Sequence, residues 1–233
     1  MEIRSLAPFQ HLKSLDNLPL KRGATPTSRL RAPELIRLPA LSMETRMPFS
    51  LRVACKDDAN GIAVLVNRAY RPSPQDAGWT HEANLVAGQR TTTEQVLSLF
   101  HEQSTILLLC LGPKIVACVH VQGDQSSAYI GMLAVNPTMQ TQGLGKQMLF
   151  HAEAYAIEHF EASVLKMSVL SSRPELLAYY ERRGYVFTGA VEEYPLSAGI
   201  GQPIVAGIHV LSLAKAPANP SFHRTCAKSR TGR

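Results

Sequence analysis

Tyr129-Ile130-Gly131-Met132-Leu133-Ala134-Val135-Asn136-Pro137-Thr138-Met139-Gln140-Thr141-Gln142-Gly143-Leu144-Gly145-Lys146 is the stretch from which the fold of this 233-residue chain is read. Residues 129–135 have strand character and stop at Asn136-Pro137. A helix is expected over 144–159, because Met148, Leu149, Ala152, Tyr155 and Ala156 recur at three- and four-residue spacing. The turn between them is a glycine-rich helix start. Such a start offers backbone N–H groups with no intrahelical acceptor and the positive end of the helix dipole, and glycines let a ligand approach the backbone closely. A phosphate-bearing ligand suits it. Two familiar nucleotide motifs fail by counting: a Walker loop needs Gly at Gln140 and Ser or Thr at Gln147, and a dinucleotide fingerprint needs Gly at Met148.

Working outward, the pattern is mixed α/β. A strand near 50–55 precedes a helix that Asp57 or Asp58 can cap, with Ile62, Leu65, Val66 and Ala69 on one face and an end before Pro72. Thr92 or Thr93 can cap a second helix that turns Val96, Leu97 and Phe100 inward. Strands over 105–111 and 115–122 form a hairpin about Gly112-Pro113-Lys114. Beyond the central stretch come a strand at 164–170, a helix at 174–182, a strand at 185–190 and a last strand at 204–213. No internal repeat is visible, and one domain over 47–214 accounts for the pattern.

The net charge of +6 suggests an anionic macromolecular partner, but its distribution argues against one. Residues 1–46 carry 8 basic and 4 acidic residues, 47–214 carry 11 and 14, and 215–233 carry 5 and none. The two ends, which lack apolar periodicity, are expected to be disordered extensions, with the folded unit starting near Met43 or Met47. A nucleic-acid partner is therefore not expected. Cys55, Cys110, Cys118 and Cys226 form no CxxC and read as free thiols of a reducing compartment. The longest apolar run, 106–111, is far below the roughly 20 residues of a membrane span, so the expectation is a cytoplasmic protein without a membrane partner. The eight histidines show no metal-ligand spacing, and no metal is expected.

Gln140-Thr141-Gln142-Gly143-Leu144-Gly145, directly after a strand ending in Val-Asn-Pro, matches the pattern Gln/Arg-x-x-Gly-x-Gly/Ala. Downstream, Tyr180-Glu181-Arg182-Arg183-Gly184-Tyr185 matches Tyr-x-x-x-Gly-Phe/Tyr. With both motifs in order, residues 49–214 resemble the GNAT superfamily of acyl-CoA-dependent N-acyltransferases. The stretches 78–92, 168–170 and 173–176 are also similar to a subgroup of bacterial and fungal members. The resemblance implies an α/β fold with a mixed, mostly antiparallel central sheet flanked by helices, and a coenzyme cleft between two splayed central strands. It implies that acetyl-CoA lies between the strands at 129–135 and 164–170, with the backbone of Leu133, Ala134 and Val135 on the pantetheine arm. The diphosphate would sit on the amides of Gln140, Thr141, Gln142, Gly143, Leu144, Gly145 and Lys146.

Tyr180 matches the family tyrosine that hydrogen-bonds the thioester sulfur and protonates the leaving thiolate; Tyr179 is read as core. Where many members carry a coenzyme-binding Asn this chain has Arg173, which suits either the coenzyme or an acceptor carboxylate. The implied reaction is direct attack of a primary amine, on a small molecule or peptide, on the thioester of acetyl-CoA. Trp79, Glu82 and Arg90 are candidates for the acceptor site; Glu82, Glu192, Glu193 and His120 are candidates for the general base, of which Glu82 is carried forward. Alternatives are a non-catalytic acyl-CoA-binding module and an acetyltransferase acting on protein or RNA. The resemblance also implies a homodimer through the last strand and helix surfaces, which often form dimers in this fold.

Overall fold

The turn at Gly112-Pro113 folds the most apolar part of the chain back on itself, with Gly112 in the left-handed region (φ 57°). The strands it joins, β3 (Ser104–Leu111) and β4 (Lys114–Asp124), pair antiparallel. The computed structural model describes residues 49–73 and 81–217. Along β3, Leu107 and Leu109 enter one core cluster while Ile106, Leu108 and Cys110 enter the other. Period-two alternation with both faces covered is what makes 106–111 read as an unbroken apolar run.

β1 (Phe49–Val53) flanks β3, and β5 (Ser127–Val135) flanks β4, both antiparallel. β6 (Val164–Leu170) runs parallel to β5, β9 (His209–Lys215) lies against β6, and β7 (Val186–Glu193) forms the far edge. The seven-stranded order is β1-β3-β4-β5-β6-β9-β7, with β5·β6 the one parallel pair. A second, two-stranded ribbon pairs β2 (Val86–Ala87) with β8 (Gln202–Pro203). One sheet face is covered by α3 (Leu144–Phe160), whose Met148, Leu149, Ala152 and Ala156 are buried, with α4 (Pro174–Glu181) beside it. The other is covered by α1 (Ala59–Tyr70) through Ile62, Leu65, Val66 and Ala69, and by the short α2 (Thr93–Leu97). Thr92 caps α2: its hydroxyl accepts from the Gln95 amide while Gln95 Oε1 accepts from the Thr92 amide.

Several expectations change. The strand expected over 204–213 is β9 at His209–Lys215, one residue past the expected domain end. The chain from 204 to 208 leaves the sheet because Gly199, Gly201 and Gly207 all adopt positive φ. Leu97 is 40% exposed rather than inward, since α2 ends there after five residues. Asp58 stands at the N-cap of α1, but its carboxylate accepts from both terminal nitrogens of Arg52 at 2.7 Å and from the Cys55 amide at 2.8 Å. Cys110 and Cys118 are buried free thiols and Cys55 is an exposed one; Cys226 lies outside the described residues, as do the two terminal extensions. Among the described residues no helix is long and apolar enough to cross a membrane.

Candidate active site

β5 and β6 pair over only three positions, Ser127↔Val164 to Tyr129↔Lys166, and then separate. The cause lies on the other side of β5. The β4·β5 register slips between Cys118 and His120, so Met132 and Leu133 together face one residue, with Met132 at φ 50°. Such a bulge bends a strand and re-aims its side chains. The Leu133 carbonyl turned out there accepts a hydrogen bond from the Tyr70 hydroxyl at 3.0 Å. The resulting cleft has two halves that share Tyr70, Leu133, Leu176 and Tyr180 as walls.

The larger half, about 260 Å³, lies over the start of α3. Asn136, nearly fully buried, ends β5 and closes the next turn, its side-chain oxygen accepting from the Thr138 amide and hydroxyl. The helix begins at Gly143, which caps it in the left-handed conformation (φ 78°), and the first helical bond runs from the Gln147 amide to the Gly143 carbonyl. The amides of Leu144, Gly145 and Lys146 thus have no intrahelical acceptor. A Cβ at Gly143 would meet nothing within 4 Å, and one at Gly145 would stand 3.7 Å from the Tyr179 hydroxyl. A ligand anion therefore has open access to uncharged donors at the positive end of a 17-residue helix.

The smaller half, about 60 Å³, is lined by Tyr70, Glu82, Arg90, Tyr129, Ser168 and Tyr194 among others. Glu82 is ion-paired with Arg71 at 2.9 Å, both nearly buried. The Arg90 guanidinium lies over the Tyr70 ring, 5.4 Å from its centroid. Burial pushes the Tyr129 phenol up to about 12. Tyr180 stands where the halves meet, 8% exposed, edge-to-face with Tyr179 and Tyr185. Burial, reinforced by the neighbouring Tyr70, Tyr179 and Tyr129, pushes its phenol well above the ordinary range, so it is protonated at any physiological pH.

Leu133, Val135, Gln140, Thr141, Gly143, Leu144, Gly145, Lys146 and Tyr180 meet in the larger half, and Glu82, Arg90 and again Leu133 and Tyr180 in the smaller. The side chain of Ala134 packs in the α1 cluster on the opposite face, which leaves it only its backbone to offer, and Gln142 is exposed outside the lining. Arg173 lines neither half. It is 4% exposed, ion-paired to Glu175, and donates to the His81 carbonyl at 3.1 Å, which makes it a strut under the smaller half. His120 is buried away from the cleft, its Nε2 2.8 Å from the Ser104 hydroxyl, and burial holds it down at about 4. Glu192 and Glu193 sit on β7 and are not in the lining. Trp79 lies outside the described residues. Tyr179, read as core, is half-buried and lines the larger half, with the Arg183 guanidinium 3.4 Å from its ring centroid.

Sequence reasoning missed Tyr70, Tyr194, Ser168 and Asn67. Tyr70 had a signal, the last turn of a helix ending before Pro72. Ser168 lies on the strand at 164–170 already expected to border the cleft, whereas Tyr194 and Asn67 are brought in by tertiary contacts, such as the Tyr194 hydroxyl donating to the Ile200 carbonyl at 3.0 Å.

The model of the Acetyltransferase (GNAT) family matches residues 64–185, just over half of the chain, and the chain belongs to that family. Several solved structures share the fold. The ribosomal-protein-S18-alanine N-acetyltransferase from Escherichia coli is 17% identical over 76% of this chain and 99% of its own, with a TM-score of 0.55. A GNAT-family acetyltransferase from Streptococcus pneumoniae is 20% identical over 72% and 99%, with a TM-score of 0.54. A spermidine N-acetyltransferase SpeG chimera from Vibrio cholerae and hSSAT is 16% identical over 72% and 95%, with a TM-score of 0.52. No curated protein is significantly similar in sequence.

Proposed function

We propose that this chain transfers an acetyl group from acetyl-CoA to a primary amine of a small molecule or peptide. The observation that carries the reading is the position of Tyr180 on the wall common to both halves of the cleft. The larger half suits the coenzyme. Its diphosphate would take the open amides of 143–146, and its pantetheine arm would lie along β5 beyond the bulge, where the backbone has no β6 partner. The smaller half would take the amine. Its nitrogen attacks the thioester carbonyl, the C–S bond breaks, and the acetyl group stays on nitrogen. Tyr180 meets the sulfur as a phenol, stabilises the developing thiolate by hydrogen bonding and passes it a proton. The surplus proton on nitrogen returns to the tyrosinate through Glu82 or water, so the products are amide and free thiol. Arg71 holds the Glu82 carboxylate in the chamber wall for this task.

Calorimetry with acetyl-CoA is expected to give saturable binding, and no heat of binding would end the reading. Tyr180→Phe is expected to lower kcat roughly 10²-fold or more with acetyl-CoA affinity nearly unchanged. Turnover equal to the parent protein would assign the acid to another group.

A further inference from the structure

Arg90 is placed with unusual care for a residue on a connecting segment. Asn67, on α1, accepts at Oδ1 from the Arg90 amide at 2.7 Å and the Thr91 amide at 3.2 Å, and donates from Nδ2 to the Thr91 carbonyl at 2.8 Å. These bonds pin the backbone so that the guanidinium lies half-buried against Tyr70, on the wall of the smaller half. Glu82 is the one acid among the lining residues, and Arg71 already holds it at 2.9 Å. The one carboxylate is thus taken by Arg71, and Arg90 itself has no carboxylate partner among the described residues. A half-buried cation is stabilised by an anion, and the planar guanidinium fork fits a carboxylate with two parallel hydrogen bonds. A second donor stands on the same wall. The Ser168 hydroxyl lies there beside the Tyr129 phenol, with which it interacts. The Tyr70 and Tyr194 hydroxyls are already committed to the Leu133 and Ile200 carbonyls.

We infer that the acceptor is a compact amino acid, a primary amine whose own carboxylate is read by Arg90 with help from Ser168. The inference rests on the acetyl-transfer reading above. The small chamber favours compact acceptors, and Arg90 beside a Glu82 already paired with Arg71 disfavours polyamines with several ammonium groups.

The test uses the full-length protein and thiol release with matched pairs: alanine against ethylamine, leucine against isopentylamine, methionine against 3-(methylthio)propylamine, with spermidine as the polycation. Amino acids are expected to exceed their decarboxylated partners in kcat/KM by roughly 10- to 100-fold, the range of a hydrogen bond to a charged group. Arg90→Gln is expected to bring that ratio close to one, chiefly through KM, and Arg90→Lys to restore part of it, since lysine keeps the charge but not the fork. Acetyl-CoA affinity measured on the same samples reports that each variant is folded. Equal or better turnover of the decarboxylated amines or spermidine overturns the inference, as does a ratio that survives Arg90→Gln, and acetyl transfer itself then stands. Coenzyme binding with no member of the panel turned over also counts against it. Failure to bind acetyl-CoA removes the underlying reading and the inference together.

Discussion

Tyr179 and Tyr180 are chemically identical neighbours, and their surroundings give them different parts. Tyr179 lies half-buried beneath the Arg183 guanidinium, with its hydroxyl near Gly145, whereas Tyr180 is buried at the junction of the two halves with its phenol held protonated. His120 shows the same dependence on surroundings with a consequence for stability. The folded protein holds its imidazole neutral down to about pH 4, while the unfolded chain protonates it near 6.5. Between those values the unfolded state binds more protons, so stability is full above pH 6.5 and falls as the pH drops toward 4, by about 3 kcal/mol at most. Urea unfolding at pH 7.5 and 5.0 is expected to show this loss in the parent protein and a flatter profile in His120→Gln. Parallel profiles would mean that other groups carry the acid sensitivity.

At the scale of elements, the cleft is a by-product of pairing geometry. A parallel neighbour that bonds β5 over three residues and an antiparallel neighbour that forces a bulge at Met132 leave β5 half unpaired along its length. The β2·β8 ribbon then closes the smaller half, with the adjoining Ile200 in its wall. Its tightest point is Gly201, at φ 103°, where a Cβ would stand 2.5 Å from the Ala87 carbonyl oxygen and 2.8 Å from Val86 Cγ1. Gly201→Ala is expected to cost roughly 1–3 kcal/mol and to raise the KM for the amine while acetyl-CoA affinity holds. An unchanged urea midpoint would show that the ribbon tolerates the displacement.

For the whole molecule, the described sheet and both large core clusters lie within 49–217, where the charge balance no longer carries the excess of the two ends. A chain cut to residues 47–217 is expected to bind acetyl-CoA and unfold as the full-length protein does. Loss of coenzyme binding on truncation would give the basic ends a part in the site. Much of this was legible beforehand because its causes are local. Helical spacing in 144–160, the hairpin at Gly112, the glycines before α3 and the tyrosine motif all act within a few residues of chain, and they sufficed for the family fold and for a helix start with open amides. The smaller half of the cleft was mostly illegible because it is assembled from segments far apart in sequence. Whether Arg173 is a ligand or a strut turns on His81, Arg90 is aimed by Asn67, and Glu82 is claimed by Arg71. The sequence by itself determined where open backbone amides gather at a glycine-capped helix start, since they need no distant partner. Only the tertiary structure decided which charges line the smaller half of the cleft, because burial and pairing between remote side chains set the field there.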